Sequence, residues 1–194
     1  MVSWILLGYF AGSVPFAFLL ARRAGIDVRI EGSGNVGAAN VLRTTGRSTA
    51  VLVMMLDMAK GAVAVLVAAG FTAGISAAAA AGAAAVVGHI YPVWLRFHGG
   101  KGVAVAAGVF ALLAPAATAI AAATFVAVVW GTRLVSLGSV AATVALAPMA
   151  WLTGAPASVV YAAAGTGALI LFRHRANARR LLAGTERRMG EPGR

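Results

Sequence analysis

Two nearly uncharged apolar runs flank the stretch Gly88-His89-Ile90-Tyr91-Pro92-Val93-Trp94-Leu95-Arg96-Phe97-His98-Gly99-Gly100-Lys101-Gly102. This stretch contains two histidines, two cations, a proline that interrupts helices and a Gly-Gly-Lys-Gly turn. Glycines allow a backbone to approach a ligand closely, and consecutive N–H groups at the start of a helix favour bound anions. Lys101 adds a mobile positive charge at the same place. These features predict a phosphate-binding loop at a membrane surface.

The composition of the whole chain is that of a membrane protein. Of its 194 residues, 61% are hydrophobic and only 11% are charged, whereas soluble domains carry roughly a quarter charged residues. The net charge of +11 would suit nucleic acid in a soluble protein, but in a membrane protein it indicates basic loops that face anionic lipid. We therefore expect membrane lipid as a partner and no nucleic acid. The absence of cysteine excludes disulfides, thiolate metal sites and a cysteine nucleophile.

The apolar runs predict an all-α, polytopic membrane helix bundle with about seven transmembrane helices. The expected spans are residues 4–21, 48–70 and 72–91, two within 103–131 divided at Pro115, and two within 138–172 divided near Gly154-Ala155-Pro156. With two crossings in each of the last two regions, every basic cluster falls on one side of the membrane. The short helices would then need shielding by protein or a thinned bilayer.

This topology places the N-terminus outside and the C-terminus inside the cell. It predicts one integral membrane domain over residues 1–194, multi-pass in the plasma or inner membrane. The expected cytoplasmic segments, which would carry the active site, are residues 22–47, 92–102, 132–138 and 173–194.

The first polar segment contains a glycine pattern that is typical of dinucleotide-binding folds. Gly32-Ser33-Gly34-Asn35-Val36-Gly37 follows the strand-like tetrad Val28-Arg29-Ile30-Glu31, and Asp57 lies twenty residues further on. Such a fold requires a parallel sheet, which no other segment supplies, and Asp57 lies inside an apolar run. We therefore reject the dinucleotide-binding interpretation.

Two interpretations of this glycine-rich segment remain. It is either a flexible loop or a backbone cradle that binds an anion. In the second case the polar side chains would donate hydrogen bonds and an arginine would supply the countercharge. The candidate residues are Ser33, Asn35, Asn40 and Arg43.

Asp57 and Lys60 lie within the second apolar run. At a spacing of three they share one helix face, and ionic groups inside a membrane are usually paired. A structural ion pair is the default interpretation, and a functional role for Lys60 is the alternative.

The C-terminal segment has two interpretations. His174, Asn177 and Leu181 share one face of a possible helix. The segment is either a solvated basic tail on anionic lipid, or a helix that Leu181 and Leu182 dock so that His174 and Asn177 face the other loops.

Five motifs in chain order resemble the bacterial glycerol-3-phosphate acyltransferases that use acyl phosphate, the PlsY family. They are residues 32–43, 56–61, 88–104, 135–139, and 174–177 leading to 184–186. The resemblance covers essentially the whole chain, and five motifs in order make it specific. Two departures are mild: Ala39 stands where the family usually has threonine, and Ala178 where it usually has isoleucine.

The resemblance implies an enzyme that acylates the sn-1 hydroxyl of glycerol 3-phosphate, with acyl phosphate as the donor and no metal or other cofactor. It implies catalytic roles for Ser33, Arg43, His174 and Asn177. The implied substrate-binding residues are Gly99, Gly100, Lys101, Gly102 and Ser139, and the implied structural residue is Glu186. The residues themselves add Asn35, Asn40 and Lys60 as substrate-binding candidates and Asp57 as a structural residue.

The residues are compatible with this chemistry, but they leave alternatives open. There is no evident Ser-His-Asp set, and no histidine is followed five residues later by an aspartate. Either a substrate phosphate takes the hydroxyl proton while His174 binds phosphate, or His174 is the general base. A membrane transporter of phosphorylated metabolites is the second hypothesis for the function, and a non-catalytic lipid-binding scaffold is the third.

Overall fold

The computed structural model describes residues 1–71 and 74–190, and all regular secondary structure within them is helical. The α-helices are α1 (Val2–Ser13), α2 (Phe16–Arg23), α3 (Ala38–Thr44), α4 (Arg47–Phe71), α5 (Ile75–Ile90), α6 (Val103–Leu113), α7 (Pro115–Thr132), α8 (Val135–Leu152), α9 (Ala157–Arg173) and α10 (Arg175–Leu182). A short 3-10 helix covers Val93–Leu95. The chain divides into two compact units, Met1–Val109 and Phe110–Arg194.

Five helical segments among the described residues have the length and composition of membrane spans. Within the described residues, the segments long and apolar enough to cross a bilayer are Val2–Arg23, Arg47–Phe71, Ile75–Leu95, Pro115–Thr132 and Val135–Leu152. Val103–Leu113 and Ala157–Arg173 are shorter apolar helices. Large apolar side chains such as Trp130 and Trp151 are exposed, as expected for surfaces that face lipid. The prediction of an all-α, polytopic membrane bundle is confirmed, while the number of crossings and their orientation stay predictions.

Prolines divide the later apolar runs where the sequence predicted. Pro115 is the first residue of α7, and Pro156 directly precedes α9. Proline is favoured at a helix start because its missing N–H is not needed there. The predicted start of the third span at residue 72 lies outside the described residues.

The first apolar run forms one candidate span over Val2–Arg23, in line with the prediction for residues 4–21, but its helix is interrupted. It forms α1 and α2, which are separated at Val14 and Pro15. Pro15 has no N–H to continue the α-helical hydrogen-bond ladder, and Phe16 N donates instead to Val14 O at 3.1 Å. The break therefore exposes the Val14 carbonyl to partners outside its own helix.

The loop predicted over residues 132–138 is shorter in the structure. Only Arg133 and Leu134 connect α7 to α8. Arg133 ends α7 in a left-handed conformation with φ 61°, and the Thr132 hydroxyl accepts a hydrogen bond from Leu134 N at 3.1 Å. This tight turn allows α8 to begin at Val135.

Glycines bring α1 and α5 into backbone contact in the first unit. A methyl group at Gly12 would lie 2.6 Å from the Ala85 carbonyl carbon, and one at Gly8 would lie 2.8 Å from that of Ala81. Small residues four apart allow such close approach of membrane helices. Gly88 of α5 likewise packs against the backbone of Tyr9. The C-terminal half of α1 is thus fixed against α5.

The second unit begins at Phe110 within α6 and contains α7, α8, α9 and the short α10. Gly138 of α8 packs against α7, where an added methyl group would lie 3.0 Å from Phe125 O. Residues beyond α10 return to the α7–α8 turn, where Met189 N donates to Arg133 O at 2.7 Å.

Candidate functional site

The buried Asn40 side chain orders the first polar loop. Its amide Nδ2 donates to Val28 O at 2.9 Å and to Glu31 O at 3.0 Å, while Oδ1 accepts from Ser33 N at 2.8 Å. Gly32 lies beside this amide with φ 63°, and a methyl group there would overlap Asn40. The sequence predicts that the Asn40 amide donates to a substrate, but both of its hydrogens donate to carbonyl groups within the loop. Asn40 therefore positions the loop.

The other candidates of this segment lie nearer its surface. Ser33 is exposed next to the Asn40 contact, Asn35 is half-buried, and Arg43 is exposed in the last turn of α3. Residues 28–31 form turns, so the strand that a dinucleotide site would need is not there. A well-ordered loop thus presents Ser33 and Arg43 at its outer face.

An exposed ion pair stabilises the start of the same loop. Arg29 Nη2 lies 2.6 Å from Asp27 Oδ2. The hydrogen bonds and charge of Arg29 lower the pKa of the Asp27 carboxyl to about 2. The pair therefore stays ionised throughout the physiological pH range.

Gly99 and Gly100 return the central loop to the end of α5. Gly99 N donates to Ile90 O and Gly100 N donates to His89 O, both at 3.1 Å. The sequence predicts that these two amides face a phosphate, but in the structure they satisfy the last carbonyl groups of α5. Gly102, with φ 92°, then starts α6 by accepting from Ala106 N at 2.8 Å. The half-buried Lys101 lies between these two turns.

The first loop and the central loop meet at Gly100. A methyl group there would lie 2.8 Å from Val36 O and 2.8 Å from His89 Cε1. Any side chain at position 100 would therefore push apart the two segments for which the sequence predicted phosphate contacts. This is the physical reason for glycine at this position.

A buried polar cluster lies beneath this junction and consists of Asp57, Lys60 and His89. Lys60 Nζ is 2.8 Å from Asp57 Oδ1 and 3.0 Å from His89 Nδ1, and His89 Nδ1 is 3.6 Å from Asp57 Oδ1. Lys60 Nζ also donates to Val14 O at 2.8 Å, across the break between α1 and α2. The predicted Asp57–Lys60 ion pair is thus confirmed.

These contacts give Lys60 a structural role, and the substrate-binding role expected for it stays a prediction. An ammonium group has three N–H bonds, and Asp57, His89 and the Val14 carbonyl supply an acceptor for each. His89 was missed by sequence reasoning. Its position directly after Gly88, at the polar end of an apolar helix, was the available signal.

In the second unit, His174 caps the junction of α9 and α10 and is 3% exposed. Its Nδ1 lies 2.8 Å from Ile170 O. A carbonyl oxygen can only accept, so Nδ1 carries the proton. His174 Nε2 is then an acceptor in the neutral ring and a donor in the protonated ring.

Glu186 links Asn177 and Arg180 of α10 to the chain that follows. Asn177 Nδ2 donates to Glu186 Oε1 at 2.6 Å, and Arg180 Nε donates to Oε2 at 2.6 Å. Burial raises the pKa of the Glu186 carboxyl, but the Asn177 bond, the nearby Ser136 hydroxyl and Arg180 outweigh it, so the pKa lies below its usual value. The carboxylate orients Asn177, which suits the structural role expected for Glu186.

The remaining predicted site and docking residues of this unit differ in their burial. Ser139 is buried within α8 and donates to Val135 O at 2.9 Å. His174 and Asn177 are both buried, as a docked α10 requires. Leu181 is half-buried but Leu182 is 91% exposed, so the expectation that Leu182 docks the helix is wrong. Leu182 follows the buried Asn177 by five positions and points to another face.

The helices and their ordered polar loops define a polytopic membrane protein whose polar groups are concentrated in connecting segments. A family model described as glycerol-3-phosphate acyltransferase matches residues 2–184. The chain belongs to the glycerol-3-phosphate acyltransferase family.

Individual relatives match along their whole length. The chain is 48% identical to the glycerol-3-phosphate acyltransferase of Rubrobacter xylanophilus over 97% of this chain and 95% of that protein. It is 46% identical to the enzyme of the same name from Myxococcus xanthus over 95% of this chain and 97% of that protein.

Solved structures show the same fold. The crystal structure of PlsY, an integral membrane glycerol 3-phosphate acyltransferase in its glycerol 3-phosphate form, matches with a TM-score of 0.92 and 40% identity. The lysophosphatidic acid form of PlsY matches with a TM-score of 0.90 and 38% identity. Both matches cover 97% of this chain and 95% of the other.

Proposed function

We propose that this protein transfers a fatty acyl group from acyl phosphate to the sn-1 hydroxyl of glycerol 3-phosphate. The products are lysophosphatidate and inorganic phosphate, and the reaction is the first step of phospholipid synthesis. The observation that carries this proposal is the match over nearly the whole chain to a family and to PlsY structures in glycerol 3-phosphate and lysophosphatidic acid forms. Those two ligands are the acceptor and the product of the proposed reaction.

The reaction needs little covalent chemistry from the protein. An acyl phosphate is a mixed anhydride and is already activated. The sn-1 oxygen forms a bond to the acyl carbon, the bond from that carbon to the phosphate oxygen breaks, and a substrate phosphate accepts the hydroxyl proton. The protein must orient the two substrates and stabilise negative charge, for which cations and N–H donors suffice.

The residue roles in this proposal follow from the resemblance and from the contacts within each unit. Ser33 and Arg43, on the loop that Asn40 orders, contact substrate phosphate. Lys101, held between the turns at Gly100 and Gly102, binds the phosphate of glycerol 3-phosphate. His174, Asn177 and Ser139 of the second unit have the roles that the resemblance implies, and Glu186 orients Asn177.

Purified protein is expected to release inorganic phosphate only when acyl phosphate and glycerol 3-phosphate are both present. Lys101→Met should raise the KM for glycerol 3-phosphate about ten- to a hundredfold, because a charge-assisted phosphate contact contributes roughly 1.5 to 3 kcal/mol. Arg23→Met is the matched control, since Arg23 is an exposed cation at the end of α2. Its KM should equal that of the wild type.

Two outcomes of this assay would contradict the proposal. A wild-type protein that binds both compounds without releasing phosphate would indicate a transporter or a lipid-binding scaffold. An unchanged KM in Lys101→Met would leave the central loop as a structural turn only.

Substitutions of His174 are expected to separate the two mechanisms. His174→Gln keeps a hydrogen-bond donor near the Nε2 position but removes the base, whereas His174→Ala removes both. We propose that protonated His174 binds phosphate through Nε2, because Nδ1 already donates to Ile170 O, so the glutamine variant should retain measurably more activity than the alanine variant. Much of each loss should then fall in the KM for glycerol 3-phosphate. Equal loss of kcat in both variants with intact substrate binding would instead identify His174 as the general base.

We propose that the seven apolar helical segments all cross the membrane, with the polar loops on the cytoplasmic side of the plasma or inner membrane. Two basic clusters lie on the same side of the membrane only if the chain between them crosses it an even number of times. The chain has no cysteine, so a single cysteine at position 133 gives a clean accessibility signal. That cysteine should react with a membrane-impermeant reagent from the cytoplasmic side. Labelling from the outside would overturn the seven-helix topology.

A further inference from the structure

We propose that His89 is a positioning residue that couples the buried Asp57–Lys60 pair to the turn at Gly99 and Gly100, and thereby sets the affinity for glycerol 3-phosphate. The inference rests on the proposed function, because it assigns a substrate to that turn. His89 is only 8% exposed, and its two ring nitrogens are turned to different parts of the molecule.

The hydrogen bond from Lys60 fixes the protonation of His89. Lys60 pairs with Asp57 and is therefore an ammonium group, which can only donate. The His89 nitrogen that it meets at 3.0 Å, Nδ1, must then be an acceptor. His89 is consequently neutral in this arrangement, with its proton on Nε2 and its ring orientation set by Lys60.

The opposite edge of the same ring supports the turn. Gly100 packs against Nε2 so closely that a methyl group would overlap it. The backbone of His89 holds the turn as well, through the hydrogen bond from Gly100 N to His89 O at 3.1 Å. A tilt of the ring would therefore displace Gly100 and the adjacent Lys101.

The cluster acts through His89 because a substrate has no room to reach it. The cavity lined by Asp57, Lys60, His89, Gly99 and Gly100 has a volume of about 10 Å³. That is about enough for one water molecule and far too small for glycerol 3-phosphate. The ion pair can thus influence the substrate only by positioning groups that the substrate touches.

The Val14 carbonyl holds the cluster at a fixed position relative to the packed helices. Lys60 bonds to the Val14 carbonyl at the α1–α2 break, and α1 is held against α5 by Gly8 and Gly12. The contacts therefore run from the packed helices through Lys60 to His89 and the turn. Loss of a contact that holds a substrate equally well in the ground state and the transition state raises KM and leaves kcat unchanged, and this is the effect expected when the turn that holds glycerol 3-phosphate is displaced.

Steady-state kinetics of His89→Leu and His89→Asn test the inference. The leucine variant removes the acceptor for Lys60, whereas the asparagine oxygen can occupy the position of Nδ1. His89→Leu should raise the KM for glycerol 3-phosphate by about tenfold, the size expected for loss of a hydrogen bond to a charged group. Its kcat and its KM for acyl phosphate should change much less, and His89→Asn should recover most of the affinity. If the leucine variant does not fold, His89→Gln replaces it, because glutamine is polar but places no acceptor at the Nδ1 position.

The possible outcomes distinguish this inference from the proposed function. A wild-type protein without turnover overturns the proposed function, and the inference with it. Wild-type turnover with an unchanged KM in the variants overturns the inference alone. The inference is also overturned if His89→Asn loses as much affinity for glycerol 3-phosphate as His89→Leu or His89→Gln. It is likewise overturned if the variants lose only kcat. Either result shows that the Lys60 contact does not set the affinity.

Discussion

Replacing Lys60 by methionine is expected to lower the free energy of unfolding by about 3 to 5 kcal/mol, the usual cost of breaking a buried ion pair. The Asp57 carboxylate, 2% exposed, would lose its cation, and the Val14 carbonyl and His89 would lose their donor. Methionine fills a similar volume, so the loss should reflect charge and hydrogen bonding rather than a cavity. The unfolding midpoint in detergent, monitored by circular dichroism against increasing denaturant, measures the effect.

Two control variants test whether the lost stability comes from an unpaired buried charge. The double variant Asp57→Asn/Lys60→Met removes both charges and should recover much of the lost stability, because no unpaired ion remains. Arg29→Met breaks the exposed pair with Asp27 and should change the midpoint little. If Lys60→Met were as stable as Arg29→Met, the buried cluster would not stabilise the first unit as its geometry indicates.

The sequence predicted the helical membrane class and most helix divisions because these depend on local chemistry. Long apolar runs must form helices in lipid, and Pro115 and Pro156 cannot continue a helix ladder. Pro15 has the same property, but it lies in an apolar run that is long enough for one span, so the division into α1 and α2 was missed. The spacing of Asp57 and Lys60 likewise sufficed to predict their ion pair.

Contacts between distant segments could not be predicted in the same way. Nothing local in the sequence shows that Lys60 bonds to Val14, or that His89 lies between Lys60 and Gly100. Both depend on the packing of α1, α4 and α5. The resemblance identified the loops but not how they are used. Asn40 orders its own loop, and the N–H groups of Gly99 and Gly100 bond to α5.

The choice of acyl donor is the second prediction with a large expected effect. Acyl phosphate places a phosphate at the reacting carbon, which suits segments that carry the cations Arg43 and Lys101 and the Ser33 hydroxyl. Acyltransferases for thioester donors use a histidine followed five residues later by an aspartate, but here the corresponding positions are Trp94, Val103 and Arg179. We therefore expect turnover with acyl phosphate and none above background with acyl-CoA or acyl carrier protein.

The most direct measurement supplies purified protein with glycerol 3-phosphate and one of the three donors at equal acyl concentration, and quantifies lysophosphatidate by mass spectrometry. We predict lysophosphatidate, with one inorganic phosphate released per product molecule, from acyl phosphate alone. Comparable formation of lysophosphatidate from acyl-CoA or acyl carrier protein, or none from acyl phosphate, would contradict the proposed donor.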